Sequence, residues 1–130
     1  MNRTVKTAMR DLKPMKAIKS TGCLYIVATP IGNLEDITAR AAGILKNVDI
    51  LACEDTRRCQ ILLRHIGATP TELISLHDHN EATVNQRLLR HLSQGRDVAL
   101  VSDAGTPAIS DPGADLVAWV AKNGFRVSPI

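Results

Sequence analysis

The segment best suited to chemistry in this chain of 130 residues is 102–113, with the sequence SDAGTPAISDPG. It follows the apolar run 98–101, and a helical pattern begins at Ala114. Loops between a strand and a helix usually have ~2–6 residues, so a stretch of this length, rich in Gly, Pro, Ser and Asp, exceeds what a turn needs. Small residues let the backbone approach a ligand closely, and a helix start offers free N–H groups. The segment is a candidate ligand-binding loop, although a long capped turn would have the same composition.

A second polar segment follows the apolar run 48–53. Glu54 and Asp55 stand directly before Arg57 and Arg58. Carboxylates can accept a proton or hold a hydroxyl group, and arginines can bind phosphate or carboxylate. Capping of the helix that follows explains only part of this segment, so we interpret the rest as candidate catalytic and substrate-binding groups.

His77 and His79 form a third candidate, because alternate residues of an extended segment lie on the same side. Such a pair could bind a metal, but no third ligand has the spacing that a site requires. We therefore predict no metal site here. Hydrogen bonding to a substrate is the functional alternative, and fixing of the loop through Asp78 and Asn80 is the structural one.

Composition indicates one domain with an aliphatic core, because 45% of the residues are hydrophobic but only three are aromatic. The three cysteines show no CxxC spacing, which predicts free thiols in a reducing compartment. No apolar run is long enough to cross a bilayer, and the N-terminus lacks the pattern of a signal peptide. These features predict a cytoplasmic protein that has no membrane partner.

The positive charge is concentrated at the N-terminus. Residues 1–20 carry six basic side chains and one acidic one, whereas residues 21–130 carry ten basic and twelve acidic ones. We expect residues 1–20 to be a disordered basic extension. An arm that contacts nucleic-acid phosphates is the alternative.

From Cys23 onward a short apolar run, a polar loop and an amphipathic segment alternate. Strands are predicted at 24–28, 48–53, 73–76, 98–101 and 125–128. Helices are predicted to begin near Leu34, Thr56, Glu81 and Ala114. Three of them end at a glycine, as expected for left-handed C-caps.

This alternation predicts an α/β domain over residues 21–130, with a mostly parallel sheet and helices on both faces. We expect His65 and His91, which lie on helices, at the surface. Because the carboxyl ends of parallel strands share one edge of a sheet, the polar segments described above should meet at that edge. The sequence does not fix the order of the strands.

Four segments resemble motifs of the ribosomal small-subunit RNA 2′-O-methyltransferase I family, a branch of the tetrapyrrole methylase superfamily. In chain order they are 24–38 (LYIVATPIGNLEDIT), 52–57 (ACEDTR), 77–81 (HDHNE) and 102–113. The resemblance implies the N-terminal half of a two-domain fold, with the second, C-terminal domain absent from this chain. It implies S-adenosylmethionine as cofactor and the ribose 2′-hydroxyl of a cytidine in small-subunit ribosomal RNA as methyl acceptor.

The resemblance also implies roles for single residues. The cofactor would be bound by Pro30, Gly32, Ser102, Asp103, Ala104, Gly105, Thr106, Ile109 and Ser110. Glu54 or Asp55, in preference to His77 or His79, would remove the hydroxyl proton. RNA would be contacted by Arg57, Arg58 and Asn80. Many relatives have His-Thr in place of Arg58-Cys59, so no chemistry is expected of Cys59.

The expected partners are small-subunit ribosomal RNA and, for the full-length protein, a second copy in a homodimer. Two alternatives stay open from the sequence. One is a methyltransferase that acts on tetrapyrrole precursors, by way of the wider superfamily. The other is a non-catalytic module whose loops bind a small anionic ligand or RNA.

Overall fold

The computed structural model describes residues 21–30, 33–77, 79–102 and 113–130. The strands within these ranges are β1 (Cys23–Ala28), β2 (Ile50–Cys53), β3 (Glu72–Ser75), β4 (Val98–Ser102) and β5 (Arg126–Pro129). The α-helices are α1 (Ala39–Asn47), α2 (Thr56–Ile66), α3 (Glu81–Ser93) and α4 (Gly113–Lys122). The basic extension predicted over residues 1–20 lies outside the described residues.

The five strands form one parallel sheet in the order β3-β2-β4-β1-β5. Helices α1 and α2 cover one face, and α3 and α4 cover the other. The chain winds from β1 towards β3 over the first face and returns towards β5 over the second, as crossovers of one hand require. The ends of β1 and β4 are therefore neighbours whose loops lead to opposite faces. The predicted α/β fold with helices on both faces is confirmed.

Burial on both faces holds the strands rigidly. Along β2, Ile50 and Ala52 pack against the α3 and α4 side, whereas Leu51 and Cys53 pack against the α1 and α2 side. Each fully buried large aliphatic side chain contributes about 1.5–3 kcal/mol. All four β2 residues are buried, so the strand ends that carry the polar loops are fixed in position.

The prediction that an α-helix begins near Leu34 is wrong. A 3₁₀ turn covers Leu34–Asp36, capped by Asn33, and α1 begins only at Ala39. The hydroxyl of Thr38 accepts the backbone N–H of Ala41 at 3.0 Å. A threonine in this position caps a new helix, which separates the two elements.

Other boundaries differ by one or two residues. Strand β2 begins at Ile50 because Val48 still closes α1, donating its N–H to the carbonyl of Ile44 at 3.0 Å. Strands β3 and β5 are each displaced by one residue from the prediction. The predicted left-handed glycines are confirmed, with φ of 74° at Gly67, 82° at Gly95 and 87° at Gly124.

His91, which was predicted to lie at the surface, is partly buried. Its side chain is only 15% exposed, and its Nε2 lies 3.2 Å from a carboxylate oxygen of Glu72. Its Nδ1 lies 3.0 Å from the guanidinium of Arg96. Helix α3 packs beside the edge strand β3, which places His91 over the first residue of that strand. His65 is exposed, as predicted.

The cysteines Cys23, Cys53 and Cys59 are thiols that form no disulfide, as predicted, and all three are buried. Within the described ranges, none of the helices has the length and apolar character needed to cross a bilayer.

Candidate functional site

The ends of β1 and β4 are joined by Thr29, the first residue after β1. Its backbone N–H and its hydroxyl both donate to the carbonyl oxygen of Ser102, at 2.9 and 2.7 Å. Thr29 is only 8% exposed, so these bonds are shielded from water. They fix the crevice from which the two loops diverge, the position where open α/β sheets bind ligands.

A depression of about 230 Å³ lies beside Thr29, between the end of the sheet and α2. It is lined by Thr29, Pro30, Leu34, Arg58, Cys59, Ile61, Leu62 and Val101. Small-molecule pockets usually measure ~300–1,000 Å³, so the described residues form one part of a site. Apolar walls with one cationic side chain, Arg58, suit a mainly apolar ligand that carries a few polar groups.

A second depression of about 400 Å³ lies on the other side of the same loop. It is lined by Ala28, Thr29, Pro30, Asp36, Ile37, Thr38, Arg40, Ala41 and Ile130. Thr29 and Pro30 belong to both depressions, so the loop after β1 forms the ridge between them. A ligand in either depression would contact this loop.

The two adjacent carboxylates after β2 have different environments. Asp55 is the N-cap of α2, and its Oδ1 accepts the backbone N–H groups of Arg57 at 3.0 Å and Arg58 at 3.3 Å. Glu54 precedes the cap and is exposed. The capping requirement of α2 is thus met by Asp55, and Glu54 is a carboxylate that capping does not explain.

The loop after β3 is held by Asn80. Its Oδ1 accepts the N–H of His77 at 2.9 Å, and its Nδ2 donates to the carbonyl of Ser75 at 2.7 Å. Both ends of this amide therefore serve the loop itself. The N–H of His79 donates to Nδ1 of His77 at 3.2 Å, so the two histidines of this loop are joined by a hydrogen bond.

The rings of His77 and His79 are edge-on, with centroids 5.9 Å apart, and both residues are exposed. A metal would need at least one more ligand, and no group of three His, Cys, Asp or Glu side chains suited to one occurs among the residues that the structure describes. These histidines can donate and accept hydrogen bonds at the edge of the sheet.

The strand order arranges the polar segments in a row along one edge. From the edge strand inwards they begin at His77 (after β3), Glu54 (after β2), Ser102 (end of β4) and Thr29 (after β1). Adjacent strands are ~4.8 Å apart. Glu54 follows β2, the strand next to β4. His77 follows β3, which is three strand spacings, or ~14 Å, from β1.

A family model described as Tetrapyrrole (Corrin/Porphyrin) Methylases matches residues 23–130. The chain belongs to this family. The match covers every strand and helix described above, including both strands of the crevice.

Among curated relatives of this methylase domain is the "Ribosomal RNA small subunit methyltransferase I" of Halalkalibacterium halodurans. It is 55% identical over 109 residues, which are 84% of this chain and 37% of the relative. The protein of the same name from Escherichia coli O157:H7 is 53% identical over 114 residues, 88% of this chain and 40% of the relative. The chain thus spans about two fifths of the length of these relatives.

The fold is shared with solved structures of uroporphyrin III C-methyl transferase from Thermus thermophilus. The native form aligns with a TM-score of 0.66 at 21% identity, covering 84% of this chain and 48% of that one. A second structure, complexed with S-adenyl homocysteine, aligns with a TM-score of 0.63 at 22% identity. It covers 84% of this chain and 44% of that one. At this identity the likeness shows the tetrapyrrole methylase fold.

Of the predicted cofactor residues, Pro30 and Ser102 are brought together at the crevice. The others lie outside the described residues: Gly32, Asp103, Ala104, Gly105, Thr106, Ile109 and Ser110. Sequence reasoning did not select Thr29. Its position directly after a buried strand was the available signal, because a hydroxyl there can bond to a neighbouring strand.

Proposed function

We propose that residues 21–130 are the N-terminal domain of an S-adenosylmethionine-dependent methyltransferase. Its acceptor would be the ribose 2′-hydroxyl of a cytidine in small-subunit ribosomal RNA. The observation that carries the proposal is the crevice between β1 and β4, beside which the segments 52–57 and 77–81 lie along the same edge. Relatives at 53–55% identity that are named ribosomal RNA small subunit methyltransferase I support the choice of acceptor.

The cofactor would contact the loop after β1 and the end of β4. Pro30 and Ser102 are the described residues that would hold it, together with Gly32, Asp103, Ala104, Gly105, Thr106, Ile109 and Ser110. The depression beside Thr29 has apolar walls, which fit the adenine ring of such a cofactor. When bound, S-adenosylmethionine supplies an electrophilic methyl group on a sulfonium, so the protein's own task is positioning and proton removal.

Glu54 would take the proton of the acceptor hydroxyl as general base. It is exposed and follows the strand adjacent to β4. Asp55 is the less suitable base because its Oδ1 already accepts two backbone N–H groups. His77 and His79 lie one strand further from the crevice, so we assign them to hydrogen bonding with the RNA rather than to proton removal.

Arg57 and Arg58 would bind RNA phosphates beside the base. Both are exposed in the first turn of α2, and Arg58 also lines the depression. Asn80, the third candidate for RNA contact, would act by holding the loop that carries His77, because both ends of its amide are used there.

The wider assembly follows from the same proposal. A second domain, which the relatives' greater length would provide, would close the cleft over the edge of the sheet. The full-length protein would form a homodimer and act in the cytoplasm, where buried free thiols such as Cys23, Cys53 and Cys59 stay reduced.

Titration of the isotope-labelled chain with S-adenosylhomocysteine, followed by amide chemical shifts, tests the proposal. We expect shifts at residues 28–33 and around Ser102. The turn 67–70, at the opposite edge of the sheet, is an internal control that should not shift. Absence of saturable shifts at the β1 and β4 ends, both in this chain and in its fusion to the C-terminal portion of the Escherichia coli O157:H7 relative, would contradict a cofactor site at this crevice.

A methyltransferase that acts on tetrapyrrole precursors is the second candidate, favoured by the shared fold with uroporphyrin III C-methyl transferase. A methyl-transfer assay separates the two, in which a fusion of this chain to the C-terminal portion of the Escherichia coli O157:H7 relative is offered both small ribosomal subunits and uroporphyrinogen III. Label on the tetrapyrrole alone would overturn the RNA assignment. Saturable cofactor binding with label on neither acceptor would favour a binding module.

A further inference from the structure

Helix α2 exposes a basic face that the cofactor site does not account for. Arg57, Arg64 and His65 are all exposed. The positions 57, 61, 64 and 65 recur every three or four residues, so they lie on one side of the helix. The opposite side packs into the core through Cys59, Leu62 and Leu63.

Ile61 lies in the middle of this basic face. It is 52% exposed and is the only large hydrophobic side chain exposed among the described residues. An amphipathic helix normally places such a residue in the core. Ile61 also lines the depression beside Thr29, so the exposed face is continuous with the proposed cofactor site.

The needs of the helix explain only part of the charge of this face. Basic residues are favoured near a helix C-terminus, where Arg64 and His65 lie, but not near the N-terminus, where Arg57 and Arg58 lie. Helix α2 contains no acidic residue, although residues 21–130 carry more acidic than basic side chains. Within the described ranges, neither Arg57 nor Arg64 makes an ion pair.

We propose that the exposed face of α2 binds a single-stranded segment of the RNA substrate as it leaves the active site. This inference rests on the proposed function. Arg57 and Arg64 are seven residues apart, about 10 Å along the helix axis, so each would bind a different phosphate. Ile61 would contact a base or ribose between them. An unpaired strand offers such an apolar surface, whereas the bases of a duplex are stacked inside it.

The charge favours RNA over a second copy of this chain as the partner. A second copy of this chain would bring another basic face against this one, because a two-fold interface pairs the same patch on both copies. Like charges would then oppose each other across Arg57 and Arg64. A polyanion satisfies both arginines and tolerates an apolar contact at Ile61.

Fluorescence anisotropy with a short labelled single-stranded RNA of mixed sequence tests the proposal. The double variant Arg57→Gln/Arg64→Gln should bind on the order of tenfold more weakly. Its slope of log K against log salt should fall by about 1.4, since each phosphate contact on a single strand contributes about 0.7. Arg90→Gln is the matched control, because Arg90 is an exposed arginine on α3, which covers the other face of the sheet.

Ile61→Ser separates the apolar contact from the charge. We expect about fivefold weaker RNA binding with an unchanged salt slope, because an apolar contact releases no counterions. Thermal unfolding of each variant checks that the fold is retained. Binding of S-adenosylhomocysteine by the parent chain is measured separately, so that failure of the proposed function is recognised by itself.

Three outcomes would overturn this inference. The parent chain could fail to bind the RNA, or the double variant could bind it as tightly as Arg90→Gln does. Sedimentation could also show a dimer that Ile61→Ser dissociates while RNA binding is unaffected, which would make this face an interface between two copies.

Discussion

Thr29 donates two hydrogen bonds, from its backbone N–H and its hydroxyl, to the single carbonyl oxygen of Ser102. The parallel register that pairs Ala28 with Ser102 is thereby extended one residue beyond the end of β1. The loops after β1 and β4 lead to opposite faces of the sheet, so this pair sets where the crevice opens.

Replacement of Thr29 by valine keeps the shape of the side chain and removes the hydroxyl donor. We expect Thr29→Val to lower the free energy of unfolding by about 1 kcal/mol, measured by urea denaturation. Thr29→Ser, which retains the hydroxyl, should lose less. Thr69→Val, at an exposed position on the opposite edge, is the control. Equal stability of Thr29→Val and the parent would show that the hydroxyl bond contributes nothing.

Asp55 should matter for stability through its cap on α2. Asp55→Ala removes the side-chain oxygen that accepts the N–H groups of Arg57 and Arg58. We expect this variant to lower the free energy of unfolding by about 1 kcal/mol. Asp55→Ser, another good N-cap, should restore most of the loss. If Asp55→Ala and Asp55→Ser unfold at the same urea concentration, capping is not what Asp55 provides.

Glu54, in contrast, should matter for methyl transfer. The assay requires a fusion of this chain to the C-terminal portion of the Escherichia coli O157:H7 relative, with unmethylated small ribosomal subunits as acceptor. Glu54→Gln should lower the rate about 100-fold, since it removes the general base. Full activity of the Glu54→Gln fusion, with an active parent fusion as reference, would exclude Glu54 as the base.

The elements were predictable because each one carries its own local signal. Asp55 caps the N-terminus of α2 and Gly67 caps its C-terminus. The apolar runs of β2 and β4 indicate strands that are buried on both faces. The order of the strands was not predictable, because it depends on the direction along the sheet in which each crossover places the next strand. The partial burial of His91 was not predicted either, because only the position of α3 beside the edge strand brings this side chain to Glu72.

The site could be predicted as a set of loops but not as an arrangement. Parallel strands require the loops to share an edge, which places Glu54, His77 and Ser102 there from sequence alone. The order of these residues along that edge follows from the strand order, which separates His77 from the crevice. The role of Asn80 was also hidden, since its two loop hydrogen bonds become visible only in three dimensions.

Two glycines should respond in opposite ways to alanine. A Cβ at Gly22 would clash with the backbone carbonyl oxygen of Arg96, whereas a Cβ at Gly43 meets nothing within 4 Å. Gly22→Ala must displace backbone at the start of β1, so we expect it to lose about 3 kcal/mol of unfolding free energy. Gly43 lies inside α1, where alanine should add about 0.5–1 kcal/mol. Urea denaturation measures both, and similar values for the two would contradict the close approach at Gly22.

His91 should make the stability of the domain depend on pH. Its pKa is lowered from 6.5 by burial and by the guanidinium groups of Arg96, Arg87 and Arg90, with a smaller opposing effect from Asp49. The unfolded chain, with the higher pKa, therefore binds more protons than the folded one as the pH falls through this range. The free energy of unfolding should decrease as the pH falls below 6.5.

Urea denaturation at several pH values between about 8 and 5 measures this dependence. His91→Gln should flatten the decrease, because glutamine does not titrate and can still donate a hydrogen bond to Glu72. His65→Gln is the matched control, since His65 is an exposed histidine on a helix, and its pH profile should follow that of the parent. If His91→Gln and the parent lose stability in parallel, His91 is not the group whose protonation opposes folding.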